Sequence, residues 1–351
     1  MWRSLHNYLR HATSRSPRGF HPLLAVHYLT YACPFSCPYC CDGNGVPYPK
    51  LRSPILGTAD SLELLRRIRS RCDFVVLTGG EPLEHPEVDA ILRGLPSVGF
   101  HGVVLTTVGA SLDAHLDAVA SGVKWLAVSV DTLDHARGDA WLGRPGTHAR
   151  ILANLELAAR RPGRRYEIVI GSVATPDNLD DVREVHRFAR EHGFRHSVSP
   201  QLRGVHAHPA LRGDPRYRAI YDELIEAKRA GHDVEGTVAY LEHMRDLTEF
   251  RCRPSTVLAT SPAGDVFYPC LELGHVAGNL LAEPDLDAIR AAGRARHGTE
   301  PRCGNRCQSP CALGFGLLFD QPSSLVDEAW RQAKGGVRRL LRSARPAGRP
   351  A

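Results

Sequence analysis

The chain has 351 residues, 43% hydrophobic and 23% charged, the balance of an ordinary folded protein that needs no disulfide staples. Its formal charge of +6 is mild, and Arg338, Arg339, Arg342, Arg345 and Arg349 place much of it at one end, which excludes a body-wide basic face for nucleic acid. No apolar run reaches the roughly 18 residues of a membrane span, and residues 1–20 lack a signal peptide's apolar core; the expectation is a cytoplasmic protein whose ten cysteines stay reduced and serve metal binding or catalysis.

In chain order, short β-branched runs alternate with longer amphipathic ones. Strands are predicted at 23–30, 74–78, 103–107, 125–130, 167–173 and 196–199, with helices near 59–70, 86–94, 111–121, 147–160 and 178–192 between them. Asn178 is the expected N-cap of the last helix, and Gly193 follows its end. Strand–helix alternation implies parallel pairing through right-handed crossovers. Six units are too few for a closed eight-unit barrel, so the expected fold is α/β, a partial (β/α)6 barrel with its strand-end loops on one face.

Beyond Pro200 the rhythm changes. Helices are predicted at 215–232 and 234–249. Two short strands, 257–260 and 265–268, then flank the turn signal Pro262-Ala263-Gly264. A last helix is predicted at 324–343 and a disordered tail at 344–351. The expected organisation is an N-terminal segment 1–21, a barrel core 22–214, a helical connection 215–250, a cysteine-bearing region 251–315 and a basic C-terminal helix and tail 316–351.

Directly after the first predicted strand stands Cys33-Pro-Phe-Ser-Cys37-Pro-Tyr39-Cys40, a C-x3-C-x2-C array. Thiolates suit iron–sulfur clusters and zinc, but structural zinc asks for a closed set of four ligands. Three thiolates on a [4Fe–4S] cube leave one iron without a protein ligand. This motif, its place after the first strand and the aromatic Tyr39 resemble the radical S-adenosylmethionine (radical SAM) superfamily. The resemblance implies that S-adenosylmethionine occupies the open iron. A ferredoxin-like or zinc site is the alternative. Cys41, the next residue, reads as a small semi-buried side chain.

Further motifs fall at successive strand ends. Thr78-Gly79-Gly80-Glu81-Pro82 closes the second strand, and two glycines permit close backbone approach to a ligand. The resemblance gives Gly79, Gly80 and Glu81 the cofactor's amino group; a plain strand-to-helix turn is the alternative. Ser129 and Asp131 project to the same side of an extended strand, and the resemblance makes them ribose contacts, against an N-cap role for Asp131. Thr106 and Thr107 are candidates of the same kind. Gly171, Ser172 and Val173 are candidate neighbours of the adenine on strand-end position alone, with a plain structural role as the alternative.

Cys252, Cys270, Cys303, Cys307 and Cys311 form a second group around the predicted hairpin. Residues 264–270 resemble the hairpin of SPASM and twitch extensions of radical SAM enzymes, which bind auxiliary [4Fe–4S] clusters. Five cysteines fit one such cluster, with Cys252, Cys270 and two of the other three as ligands; structural zinc is the alternative. The resemblance implies reductive cleavage of S-adenosylmethionine to a 5′-deoxyadenosyl radical, then hydrogen abstraction from a substrate. The electron would come from a flavodoxin- or ferredoxin-type donor. An auxiliary cluster points to an oxidation, with His206 or His208 as candidate base and Gln201 and Arg203 beside them.

The substrate reads as a sugar-like or other natural-product intermediate, with a peptide or a lipid as alternatives. Trp330, Val337, Leu340 and Leu341, interleaved with arginines, give the predicted C-terminal helix a candidate membrane-contacting face, with a solvated terminal helix as the alternative. The contrasting class is a non-catalytic iron–sulfur electron carrier.

Overall fold

The computed structural model describes residues 2–14, 19–298, 303 and 307–324. A first helix, α1 (Trp2–Thr13), precedes six strand–helix units: β1 (Leu24–Thr30), α2 (Thr58–Arg71), β2 (Phe74–Gly79), α3 (Val88–Val98), β3 (Gly102–Thr107), α4 (Leu112–Gly122), β4 (Trp125–Ser129), α5 (His135–Leu142), α6 (Thr147–Arg160), β5 (Glu167–Ala174), α7 (Leu179–His192) and β6 (Arg195–Pro200). There follow a two-stranded hairpin, β7 (Leu202–Arg203) and β8 (His206–Ala207), then α8 (Pro215–Arg229) and α9 (Val238–Asp246). The cysteine-bearing region contains β9 (Val257–Thr260), β10 (Asp265–Tyr268), β11 (His275–Asn279), α10 (Leu286–His297) and α11 (Pro310–Asp320).

The six strands β1 to β6 pair in parallel and in sequence order, as the alternation predicts. Side chains alternate across them. Ala25 and Leu29 of β1 join Leu64, Leu65 and Ile68 of α2 in the main core, while Val26 and Tyr28 face the other side. All strand ends therefore deliver their loops to one rim.

The sheet does not stop at β1. β9 pairs parallel to β1, with Leu24 opposite Val257 and His27 opposite Thr260, and β10 and β11 continue antiparallel. One nine-stranded sheet runs β11-β10-β9-β1-β2-β3-β4-β5-β6. The predicted hairpin forms, and its pairing carries the cysteine-bearing region onto the barrel edge.

Several local expectations change. Gly193 ends α7 in a left-handed conformation (φ 67°), as expected of a C-cap. Asn178 sits at the N-cap position but does not cap. Its Oδ1 accepts from Thr175 N at 2.7 Å and its Nδ2 donates to Val173 O at 2.8 Å, bracing the end of β5 instead. Helices α1, α5, α10 and α11 escape the sequence reading; α5 has only eight residues and a weak apolar stripe. The predicted helix at 324–343, apart from Ser324, and the tail at 344–351 lie outside the described residues. Among the described residues no helix is long and apolar enough to cross a membrane.

Candidate functional site

The loop after β1 carries Cys33, Cys37 and Cys40 to the rim, and all three line one cavity with an empty volume of about 900 Å³ including its open mouth. Tyr39, Thr78, Gly79, Gly80, Thr106, Thr107, Ser129, Asp131 and Thr132 share that lining. The ends of β2, β3 and β4 are thus brought to the three thiols, as the sequence reading requires. Burial, then the neighbouring Cys40, pushes the Cys37 thiol up to about 12. Burial, then Cys33, does the same to Cys40, also to about 12. Thiols so placed stay protonated until a cationic metal centre stabilises their thiolates. Among the described residues no three His, Cys, Asp or Glu side chains meet at a point suited to one ion. The three thiols instead ring a cavity, the arrangement a multi-iron core needs, so the residues fit a cluster.

The cluster loop is clasped from the β4–α5 side. Tyr39 donates its hydroxyl to Asp131 Oδ2, and Asp131 Oδ1 accepts from Val173 N at 2.7 Å. Asp131 therefore does not cap a helix; Asp134 does, accepting from Arg137 N to open α5. Burial raises the Asp131 carboxyl to about 6, against the lowering effect of those two bonds. The Tyr39 ring also meets Trp141 edge-on, with centroids 6.3 Å apart, and Ser36 N donates to Leu142 O at 3.1 Å. Sequence reasoning missed Trp141, whose signal depends on recognising α5.

Gly79 and Gly80 line the cavity, but the reason for glycine differs from the expected one. A Cβ on Gly79 would lie 2.4 Å from Thr30 O, and one on Gly80 would lie 2.4 Å from Ala32 O. The close approach is to the chain's own cluster loop, and Gly80 N and Glu81 N donate to those same two carbonyls, each at 2.8 Å. Glu81 is buried behind the lining. Its carboxylate accepts from Thr107 Oγ1 and Val108 N at 2.7 Å and from Leu83 N at 3.1 Å, so it organises the β3 rim. Thr106 lines the cavity and bonds Thr78 Oγ1 at 2.8 Å.

Gly171, Ser172 and Val173 are absent from the lining residues. Ser172 is buried, donating to Val130 O and accepting from His196. His206 is exposed and His208 half-buried, and both lie outside the cavity lining; His208 Nδ1 accepts from Ala210 N, which opens a short turn of helix. Gln201 and Arg203 also lie outside the lining.

The second cysteine group gathers from separate segments. The electrostatic neighbours of Cys252 are Cys270 and Cys303, and those of Cys307 include Cys270 and Cys252. Burial is the leading cause of the raised thiol of each, to about 12 for Cys252 and about 11 for Cys270. Cys311 differs: burial raises it to about 11, and its charged neighbours are Glu272 and Glu235, with no cysteine among them.

The two groups touch through backbone. Gly43, just past Cys40 and Cys41, lies so close to the Cys270–Gly274 segment that a Cβ would stand 1.8 Å from Glu272 O. The β7–β8 turn joins them, with Val205 O accepting from Gln308 N at 2.8 Å.

Residues 28–189 match the model of the Radical SAM superfamily. The AdoMet-dependent heme synthase of Methanosarcina barkeri is 28% identical over 175 residues, 49% of this chain and 48% of that protein, so the chain spans about half the length of that relative. Streptococcus suis SuiB, solved bound to its precursor peptide SuiA, shares the fold at TM-score 0.62 and 16% identity, over 88% of this chain and 75% of its own. Native anSMEcpe with bound AdoMet does so at TM-score 0.58 and 14% identity, over 91% of this chain and all of its own. The matched segment, just under half of the chain, includes Cys33, Cys37 and Cys40 and the strand ends that line the cavity, so this part of the chain is similar to the Radical SAM superfamily, and the solved structures share its fold.

Proposed function

We propose that the protein is a radical SAM oxidase of a polar, sugar-like substrate, with Cys33, Cys37 and Cys40 holding the cofactor-binding cluster. Cys252, Cys270, Cys303 and Cys307 would hold a second [4Fe–4S] cluster of SPASM or twitch type. When bound, the first cluster and S-adenosylmethionine supply a 5′-deoxyadenosyl radical, the hydrogen-abstracting agent of the family. The chain's part is to orient and to exclude water. Gly79 and Gly80 form the wall beside the methionine end. Thr106 and Ser129 offer hydroxyls, and Tyr39 fixes the cluster loop against Asp131. A flavodoxin- or ferredoxin-type donor would supply the electron.

The observation that carries the oxidation reading is the contact at Gly43 and Glu272, which seats one cysteine group against the other. A hydrogen-abstracting site adjoining a second redox centre has a route for the electron an oxidation releases. Hydroxyls of Thr78, Thr106, Ser129 and Thr132, set among the apolar Val130, Trp141, Leu142 and Ile151, support a substrate with polar groups. A peptide substrate is the second reading, favoured by the fold shared with SuiB, which was solved with a precursor peptide. Anaerobically reconstituted protein given a strong reductant and S-adenosylmethionine should form 5′-deoxyadenosine and hold about eight irons per chain. No 5′-deoxyadenosine would overturn the enzyme reading, and about four irons would overturn the second cluster.

A further inference from the structure

Helix α1 is amphipathic in the inverted sense. A surface helix normally turns its apolar stripe inward and its polar face to water. Here the inner face is polar. Ser4 donates from its backbone N and its hydroxyl to Asp73 Oδ2, at 3.0 and 2.9 Å. Asn7 is buried and donates to Pro22 O at 2.7 Å and Arg71 O at 2.9 Å. His11, also buried, donates Nε2–H to His21 O at 2.9 Å, and Arg253 caps the helix end through His11 O at 2.6 Å. These bonds hold α1 against the start of the sheet, below β1 and β2.

The outward face is apolar. Trp2 is 86% exposed, Leu5 50% and Leu9 52%, at the i, i+3, i+7 spacing of one helical stripe. They are three of the seven large hydrophobics exposed among the described residues, and the other four are scattered. Arg3, His6 and Arg10 flank the stripe, all exposed, and α1 contains no acidic residue. Asp73, the acid touching the helix, is buried and occupied by Ser4 and Arg69.

We propose that α1 is an interfacial helix that docks the protein on an anionic lipid surface. Trp and Leu on one face with Arg beside them is the composition that seats a helix at the headgroup boundary. Anionic headgroups complement Arg3 and Arg10, whereas a second copy docked through the same stripe would oppose arginine with arginine. Phe319 of α11 stacks on Tyr8 of α1 with centroids 4.8 Å apart, a further contact that holds the helix in place. Because α1 lies at the strand starts and the thiol-lined cavity at the strand ends, docking leaves the cavity mouth facing away from the lipid.

The test is co-sedimentation of the full chain with vesicles of phosphatidylcholine alone or mixed with phosphatidylglycerol. Parent protein should partition onto the mixed vesicles, and less so at high salt. The double variant Leu5→Ser with Leu9→Ser should lose about fivefold in partitioning while keeping its melting temperature. Arg3→Glu with Arg10→Glu, which leaves the stripe intact, should lose a similar amount only on anionic vesicles. No partitioning of the parent, or equal partitioning of parent and both double variants, overturns the proposal. A parent dimer in solution that dissociates on Leu5→Ser with Leu9→Ser also overturns it, in favour of a second copy as the occupant.

Discussion

Cys33, Cys37 and Cys40 come from one short loop directly after β1, whereas Cys252, Cys270, Cys303 and Cys307 are drawn from segments spread over half a hundred residues. The first group is held by elements close to it in the barrel: the β2 end through Gly79 and Gly80, and the β4–α5 side through Tyr39 and Ser36. The second depends on the β9–β11 strands adding to β1 and on the β7–β8 turn reaching Gln308. A local group is set by its loop and survives the loss of remote contacts. A gathered group requires the tertiary fold to be complete. Removing ligands, protons or single atoms should therefore affect the two groups unequally.

The largest effect is expected at the local group. Cys33→Ala should abolish 5′-deoxyadenosine formation while leaving about four irons per chain at the other group. Retained cleavage, measured chromatographically under anaerobic conditions, would remove the assignment of the first cluster. Next comes a paired test at the gathered group. Cys307→Ala should lower bound iron to about four per chain, and Cys311→Ala should leave about eight, since the charged groups that act on Cys311 are Glu272 and Glu235 rather than the other cysteines. The reverse order would show that the ligand set is wrong.

Acid should destabilise the fold. His11, His27, His186 and His196 are buried, and burial leads the lowering of each from the usual 6.5 to about 4, 3, 4 and 3 respectively. The folded chain keeps these rings neutral where the unfolded chain protonates them. Their contribution is complete above pH 6.5 and is lost as pH falls from 6.5 towards 4, by up to about 1.4 kcal/mol per ring per pH unit. Melting temperature should drop steeply between pH 7 and 5, and His27→Gln should make the slope shallower. An unchanged slope in that variant would mean that His27 is already protonated in the fold.

A smaller effect is expected where the two groups touch. Gly43→Ala places a methyl 1.8 Å from Glu272 O, and relieving that overlap by a backbone shift costs about 1–3 kcal/mol. Gly57→Ala is the control, since the nearest atom to its new Cβ is a Glu87 carboxylate oxygen at 3.6 Å. Denaturant melts should separate the two variants, with iron at the gathered group more readily lost from Gly43→Ala.

The same contrast explains what could be read from the sequence. The six parallel strands and the Cys33–Cys40 loop were legible because each is written in contiguous residues: β-branched runs, a fixed cysteine spacing, glycines at a strand end. The parallel pairing of β9 with β1 was not, because nothing in Val257–Thr260 names a partner more than two hundred residues away. The role of Gly79 and Gly80 was half legible. Close approach was foreseen, but Thr30 O and Ala32 O as the approached atoms required the fold. Glu81 and Ser172 were placed at the right rim, but a strand-end position does not say whether a side chain faces the cavity or makes the internal hydrogen bonds that both make here. Helix α1 was hidden by its own inversion: its polar residues are the buried ones.

The finest distinction concerns how Asp131 serves the local group. A carboxylate that met the ribose directly would make its contribution whatever residue stood at 39. The structure instead occupies both of its oxygens, one with the Tyr39 hydroxyl and one with Val173 N. On the proposed function Asp131 would act on the cofactor through Tyr39 and the loop that Tyr39 anchors between Cys37 and Cys40. A hydrogen bond to a charged group contributes about 1.5–3 kcal/mol, so losing it should weaken S-adenosylmethionine binding by about tenfold. Tyr39→Phe and Asp131→Asn should each do so, with iron content unchanged, and the double variant should be little worse than either single one. Equilibrium dialysis on the reconstituted, oxidised protein reads this without turnover. Two losses that multiply would place Asp131 on the ribose itself and leave Tyr39 as a packing residue beside Trp141.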